Sequence, residues 1–138
     1  MAVHTGLLRL ETAGDGAVVD LTEGVRSIVE RSGVQSGVAA VFAVGATVGI
    51  TTIEYEPGAV ADLQALLDRL IAPDAEYRHN ALNHDTNAHS HLRAALIGPS
   101  ETIPIVGGEL GLGTWQQVVL VDFDDRPRER IVSVQVLS

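Results

Sequence analysis

The chain has 138 residues, 46% of them hydrophobic, no cysteine, and nine basic against eighteen acidic side chains, for a formal net charge of −9. That length suits one domain, residues 1–138, with a core of its own, and the apolar share argues against disorder. The acidic balance repels phosphate backbones and argues against nucleic acid; no apolar run is long enough to cross a bilayer; and without cysteine there are no disulfides or thiolate ligands.

In chain order, "LLRLET" (Leu7–Thr12) and "AVVDLT" (Ala17–Thr22) read as short strands around the turn "AGDG". Thr22 is placed as N-cap of a helix with Glu23 in its first turn. Val25, Ile28 and Val29 form its apolar stripe, and Gly33 stops it. "GVAAVFAVG" (Gly37–Gly45) is a continuous apolar run, expected as a strand buried on both faces. "TVGITTIEYEPG" is expected as its neighbour. Pro57 suits the first turn of the next helix, whose stripe is Leu63, Leu66, Leu67, Leu70 and Ile71, ending before Pro73.

A long polar loop follows, then a short helix with Asn87 as N-cap and Gly98-Pro99 as terminator. The last forty residues read as strands, with turns at Gly107-Gly108 and at Asp124–Pro127. Arg126, Arg128 and Arg130 form a local basic spot suited to a small anion. The sum is an α+β fold: mostly antiparallel sheets packed with two main helices and one short helix in a single compact domain. The N-terminal stretch lacks the basic start of a signal peptide, so the cytoplasm is the expected location.

Chemistry gathers in "HNALNHDTNAHSHL" (79–92), which holds four of the five histidines and Asp85. Helical phasing puts Ala88, His91, Leu92, Ala95 and Leu96 on one face, so His91 points to the core side. His89 points elsewhere, near Arg93 at i+4. His79 and His84 fall in the loop. No HExxH arrangement is present, but two or three imidazoles with one carboxylate suit a divalent ion such as zinc. Without a metal, the same imidazoles suit general acid–base work, with Asp85 or another carboxylate orienting one ring. A solvated loop residue or a satisfied core histidine accounts for each of them individually. "GGELGLGTWQQ" is the second such stretch. Its glycines permit tight turns, and Thr114, Trp115 and Gln116 are read as lining a pocket beside the histidines, or as a hairpin with Trp115 as anchor.

In order and spacing, "VDLTEGV", "IEYEPG", "YRHN", "DTNAHSHLRAALIGPS", "IPI", "GELGLGTWQQVVLVDFD" and "RERIVSVQV" resemble the YjbQ family, also described as secondary thiamine-phosphate synthases. The resemblance spans nearly the whole chain. It implies a compact α+β fold, a homotrimer with clefts between subunits, and a polar histidine site with a divalent metal, zinc or magnesium. It also implies a weak thiamine-phosphate synthase activity, which joins a pyrimidine pyrophosphate to a thiazole phosphate. Carried over to this chain, the site residues are His79, His91, Asp85 and Glu54 for catalysis, and Asn87, Thr114, Trp115 and Gln116 for a small phosphorylated substrate. His79, His89 and His91 are the metal ligands so implied, and His84 is set aside. One departure stands out: where many members carry "HT(S/T)A", this chain has Val44-Gly45 and no histidine. Three readings therefore stand: an enzyme, a non-catalytic metal- or small-ligand-binding homotrimer, and an oligomer whose histidines are structural.

Overall fold

The computed structural model describes residues 2–138. The chain runs β1 (Val3–Thr12), β2 (Ala17–Asp20), α1 (Thr22–Ser32), β3 (Ser36–Val44), β4 (Val48–Ile53), α2 (Pro57–Leu70), α3 (Arg78–Asn83), α4 (Ala88–Ile97), β5 (Ser100–Val106), β6 (Glu109–Leu110), β7 (Gln117–Asp122) and β8 (Arg128–Leu137). Five strands form one sheet in the order β1-β8-β3-β5-β6, and three form a second in the order β2-β7-β4. All pairings are antiparallel. The α+β, mostly antiparallel fold expected from the sequence is the one observed.

The three-stranded sheet is the middle layer. On one side Ile50, Val118 and Leu120 meet the inward residues of the large sheet (Ala39, Val41, Val132, Val134) and Val25, Ile28 and Val29 of α1. On the other, Val119, Val121 and Phe123 pack against Leu67 of α2 and Ala94 of α4. The strand buried on both faces is therefore β7, whose residues 118–121 are at most 1% exposed. The apolar run of β3 was expected in that position. Instead it alternates, with Ala39, Val41 and Ala43 buried while Phe42 and Val44 are 45% and 55% exposed. Among the described residues nothing covers Phe42 and Val44 on that outer face.

Two neighbour relations differ from expectation for one reason: the chain changes sheets at its turns. The turn 13–16 does not fold β1 onto β2 but hands the chain from the large sheet to the small one. Gly45–Thr47 does the same, so β4 pairs with β7 and not with β3. Phe123–Pro127 hands the chain back. These three corners lie together. Asp15 and Gly16 N–H donate to the carbonyls of Asp124 and Asp122, and Phe123 N–H to that of Thr47. Gly14 has φ +74°, and a Cβ there would stand 2.5 Å from the Arg126 carbonyl oxygen.

A charged clamp binds the corners. Arg130 donates from Nε to Asp122 Oδ2 (2.7 Å) and from Nη2 to Asp122 Oδ1 (2.8 Å) and Thr47 Oγ1 (2.7 Å). Thr12 Oγ1 donates to Asp122, and Arg128 Nε donates to Asp124 at 2.7 Å. Both aspartates are fully buried. Arg128 and Arg130 are thus committed to carboxylates, which leaves Arg126 as the exposed member of the three.

Helix ends follow the chemistry read from sequence, with one substitution. Pro57 opens α2, and Glu56 accepts the Gly58 and Ala59 N–H groups. Gly33 closes α1 in the left-handed region. At the start of α1 it is Asp20, not Thr22, that accepts the end N–H, taking both Thr22 N–H and Oγ1–H. One helix was not expected: α3 lies inside the polar stretch, where no apolar periodicity marks it. It ends at His84, itself left-handed (φ 51°).

Candidate functional site

α3 and α4 bring two of the histidines together. The rings of His79 on α3 and His91 on α4 lie 4.7 Å apart between centroids, tilted by 50°. Asn80 sets this pair. Its Oδ1 accepts the Ala88 N–H at 3.0 Å, tying α3 to the first turn of α4, and lies 3.2 Å from His79 Nδ1. An amide oxygen only accepts, so this contact is a hydrogen bond in the tautomer with the proton on Nδ1, which in the neutral ring leaves the lone pair on Nε2. Sequence reading expected a carboxylate as orienter and passed over Asn80, although it directly follows His79. Asp85 instead accepts the N–H of Thr86 at 2.8 Å, within its own turn.

The phasing of α4 is shifted from that expected, and of the expected inward face only Ala88 is fully buried. His89 is 8% exposed, while His91 is half-buried and Leu92 and Leu96 are exposed. The stripe facing the protein is Ser90, Arg93 and Ala94, because Arg93 is a core residue. Its guanidinium donates to the Ile71 carbonyl at the end of α2 (2.7 Å) and to Asp68 (2.9 Å). A buried arginine paired through Nε and Nη2 is invisible to apolar periodicity. Burial pushes the His89 imidazole below its usual pKa, and Arg93 four residues on pushes it the same way against Asp125, Asp15 and Asp68. Among the described residues, His89 Nδ1, Asn87 Oδ1 and Ser90 Oγ are buried without hydrogen-bond partners.

His91 opens on a shallow cavity of about 350 Å³ lined also by Gly45, Ala46, Val48, Ala94 and Pro99, which is otherwise apolar. Val48 and Gly45 stand at the start of β4. The turn carrying Thr114, Trp115 and Gln116 stands at its other end, where Ile53 pairs with Gln117. At about 3.3 Å per residue, the ends of β4 are roughly 17 Å apart. Within one protomer the two candidate regions are separate sites, not the single pocket expected.

At that second end, Thr52, Ile53 and Glu54 with residues 113–116 line a depression of about 340 Å³. A neighbouring one of about 480 Å³ adds Asp20, Tyr55, Glu56 and Gln117. Trp115 is 71% exposed, so it does not anchor the core. Gln116 is scaffold: its Nε2 donates to Thr52 Oγ1 (3.2 Å) and its Oε1 accepts the Gly113 N–H (3.1 Å). Gln117 Oε1 accepts the Tyr55 N–H, and the Tyr55 hydroxyl donates to the Val18 carbonyl. Tyr55, Glu56 and Asp20 were not among the expected site residues. No spacing rule joins Asp20 to Trp115; pairing in the small sheet does.

Among the described residues no group of three or more His, Asp or Glu side chains is placed to hold an ion. His79 and His91 supply two imidazoles, one short of the three protein ligands of catalytic zinc, and magnesium prefers oxygen. The residues of one protomer do not fit either metal.

A family model described as UPF0047 protein YjbQ-like matches residues 7–138. A UPF0047 protein of Methanothermobacter thermautotrophicus is 38% identical over 136 residues, covering 99% of this chain and 93% of that one. One of Mycobacterium tuberculosis is 39% identical over 132 residues, covering 94% and 95%. Among solved structures, a hypothetical protein of Aeropyrum pernix superposes with a TM-score of 0.91 at 34% identity, covering 98% of both chains. A protein of unknown function from Sulfolobus solfataricus gives 0.90 at 30% identity, covering 99% of both.

Proposed function

The chain belongs to the YjbQ-like UPF0047 family, and from that premise we propose that it acts on small phosphorylated molecules in a homotrimer, with His79 and His91 as the proton-transfer pair. The observation that carries the reading is the 4.7 Å pairing of the two rings with Nδ1 of His79 fixed by Asn80. It leaves His79 Nε2 as a base next to a second imidazole. In a weak thiamine-phosphate synthase reaction, the thiazole nitrogen would displace pyrophosphate from the pyrimidine methylene carbon. His91 would bind and protonate the departing oxygen.

Two features support an oligomer. The outer face of β3 is apolar and open, and the two candidate sites of one protomer stand apart. A cleft between copies would join the His79–His91 end of one to the Thr114–Gln116 end of the next, and a neighbour could complete a metal's ligand set. Assaying the purified protein with the pyrimidine pyrophosphate and the thiazole phosphate, beside H91A and H79A, tests this. Loss of product in both variants is expected; equal turnover in all three proteins rejects it.

The apolar lining around His91 favours a second reading, a ligand-binding trimer without turnover. It predicts saturable binding of the thiazole phosphate, weakened by H91A, with no product formed.

A further inference from the structure

Arg130 does not use all of its donors in the corner clamp. A guanidinium side chain carries its N–H groups on Nε, Nη1 and Nη2, and every hydrogen bond of Arg130 leaves from Nε or Nη2. Among the described residues Nη1 donates to nothing, although the side chain is only 8% exposed. A buried donor left unpaired is unfavourable, and an acceptor brought to it removes that cost.

Nη1 lies against Gly45. A Cβ on that residue would stand 2.8 Å from Nη1 and 3.1 Å from Val48 Cγ1, so any side chain at 45 would cover the donor. Gly45 and Val48 are also walls of the cavity of about 350 Å³ that His91 opens on. That volume stands at the lower end of the roughly 300–1,000 Å³ of small-molecule pockets. Ala46, Ala94, Ala95 and Pro99 add apolar wall, and His91 is the one ionisable side chain of the lining. The bare α-carbon of Gly45 is thus what stands between an apolar cavity and an unpaired guanidinium edge.

Charge selects the acceptor. The positive charge of Arg130 is matched by Asp122 at 2.7 and 2.8 Å, and that of Arg128 by Asp124 at 2.7 Å. Nη1 therefore offers N–H groups at Gly45 without a spare positive charge. A phosphate brought there would face two buried carboxylates with nothing to balance it. An uncharged carbonyl oxygen accepts the same N–H groups and adds no charge, while its apolar substituents lie on the alanine, valine and proline walls.

We infer that the cavity at Gly45 and His91 binds a small molecule with an uncharged carbonyl group on a short apolar body, or that portion of a larger ligand, with the carbonyl oxygen accepting from Arg130 Nη1. This goes beyond the turnover proposed for the His79–His91 pair and does not depend on it.

The test is a titration followed by nuclear magnetic resonance, with the full-length protein carrying isotope-labelled arginine and valine. R130K identifies the Arg130 guanidinium signals by their loss. Three probes are compared: 2-methylpropanamide, isobutylammonium, which has the same branched body and only donors, and inorganic phosphate. The amide should shift the Arg130 and Val48 signals saturably, and the other two should bind at least tenfold more weakly. Ala95 is on the exposed side of α4 and outside the clamp. A95F should leave the Arg130 signals of the unliganded protein in place and weaken amide binding severalfold, because its ring fills the cavity. G45A should do the same by covering Nη1, and A95F decides where G45A does not fold. Equal shifts from all three probes, valine shifts with Arg130 unmoved, or no shift up to the solubility of the amide overturns the inference. H79A separates it from the proposed turnover: product formation should be lost and amide binding kept, so either reading can fail alone.

Discussion

Arg130 grips Asp122 with two parallel hydrogen bonds of 2.7 and 2.8 Å, both side chains sealed from water where three sheet-crossing corners meet. A buried charge left without its partner is expensive. R130M should therefore lower stability by about 3–5 kcal/mol, read from the urea midpoint. R130K, which keeps the charge but not the fork, should fall between. A midpoint unchanged in R130M would show that the clamp contributes nothing to stability.

Acid should undo the same clamp. Burial raises the Asp124 carboxyl, but the bond from Arg128, with those from the Asp125 N–H and Thr47, overrides it and leaves the pKa at about 2. The unfolded chain thus takes up the proton first. The contribution of Asp124 is complete above the unfolded carboxylate range near pH 4 and is lost as pH falls through about 2. Urea midpoints between about pH 5 and 2 should drop less steeply in D124N than in the parent.

His89 should act in a higher window. Its folded pKa is lowered by burial first and by Arg93 second. The unfolded chain therefore binds the proton more readily, and the residue subtracts stability only below the unfolded imidazole range near pH 6.5. Going from about pH 7.5 to 5.5 should lower the midpoint of the parent more than that of H89Q. An identical drop in the two would remove His89 as a source.

Gly14 is a backbone requirement. With φ at +74° and a carbonyl oxygen 2.5 Å from any Cβ, G14A is strained and crowded at once. A loss of roughly 1–3 kcal/mol is expected. G33A, equally left-handed but with nothing within 4 Å, should cost less.

The open face of β3 should mediate self-association. F42D places a charge on that face without touching the inward Val41 and Ala43. Sedimentation should show smaller species with a preserved far-ultraviolet spectrum. A monomeric parent, or an F42D that keeps the parent's mass, would dismiss this face as an interface.

Sequence pattern reached what local physics dictates. Pro57 and Gly33 marked helix ends correctly, and β8 alternates as read. Of the expected α2 stripe only Leu67 is buried, with Leu63 packed beside it, while Leu66 and Leu70 are 42% and 63% exposed. The pattern failed where a polar residue does a core residue's work. Arg93 shifted the inferred face of α4 and exchanged the environments of His89 and His91. It also failed where pairing is long-range. Nothing local shows that β4 joins β7, and this alone separates the histidines from Trp115. Of the candidate site, the His79–His91 pair and the Thr114–Trp115 turn were legible; Asn80, Tyr55 and Asp20 required the fold.

The corner clamp also bears on folding kinetics. Thr12 meets Asp122 across 110 positions of sequence, and Thr47 meets Arg130 across 83. Contacts that close such long loops pay their entropy late, after each sheet has its own strands in register. On that ground the clamp is expected to form after the folding transition state and to act on the way out. Removing Arg130 should leave the refolding rate nearly unchanged and raise the unfolding rate, a division that stopped-flow chevrons would read directly. On that account, what Arg130 and the two aspartates chiefly set is the lifetime of the native state.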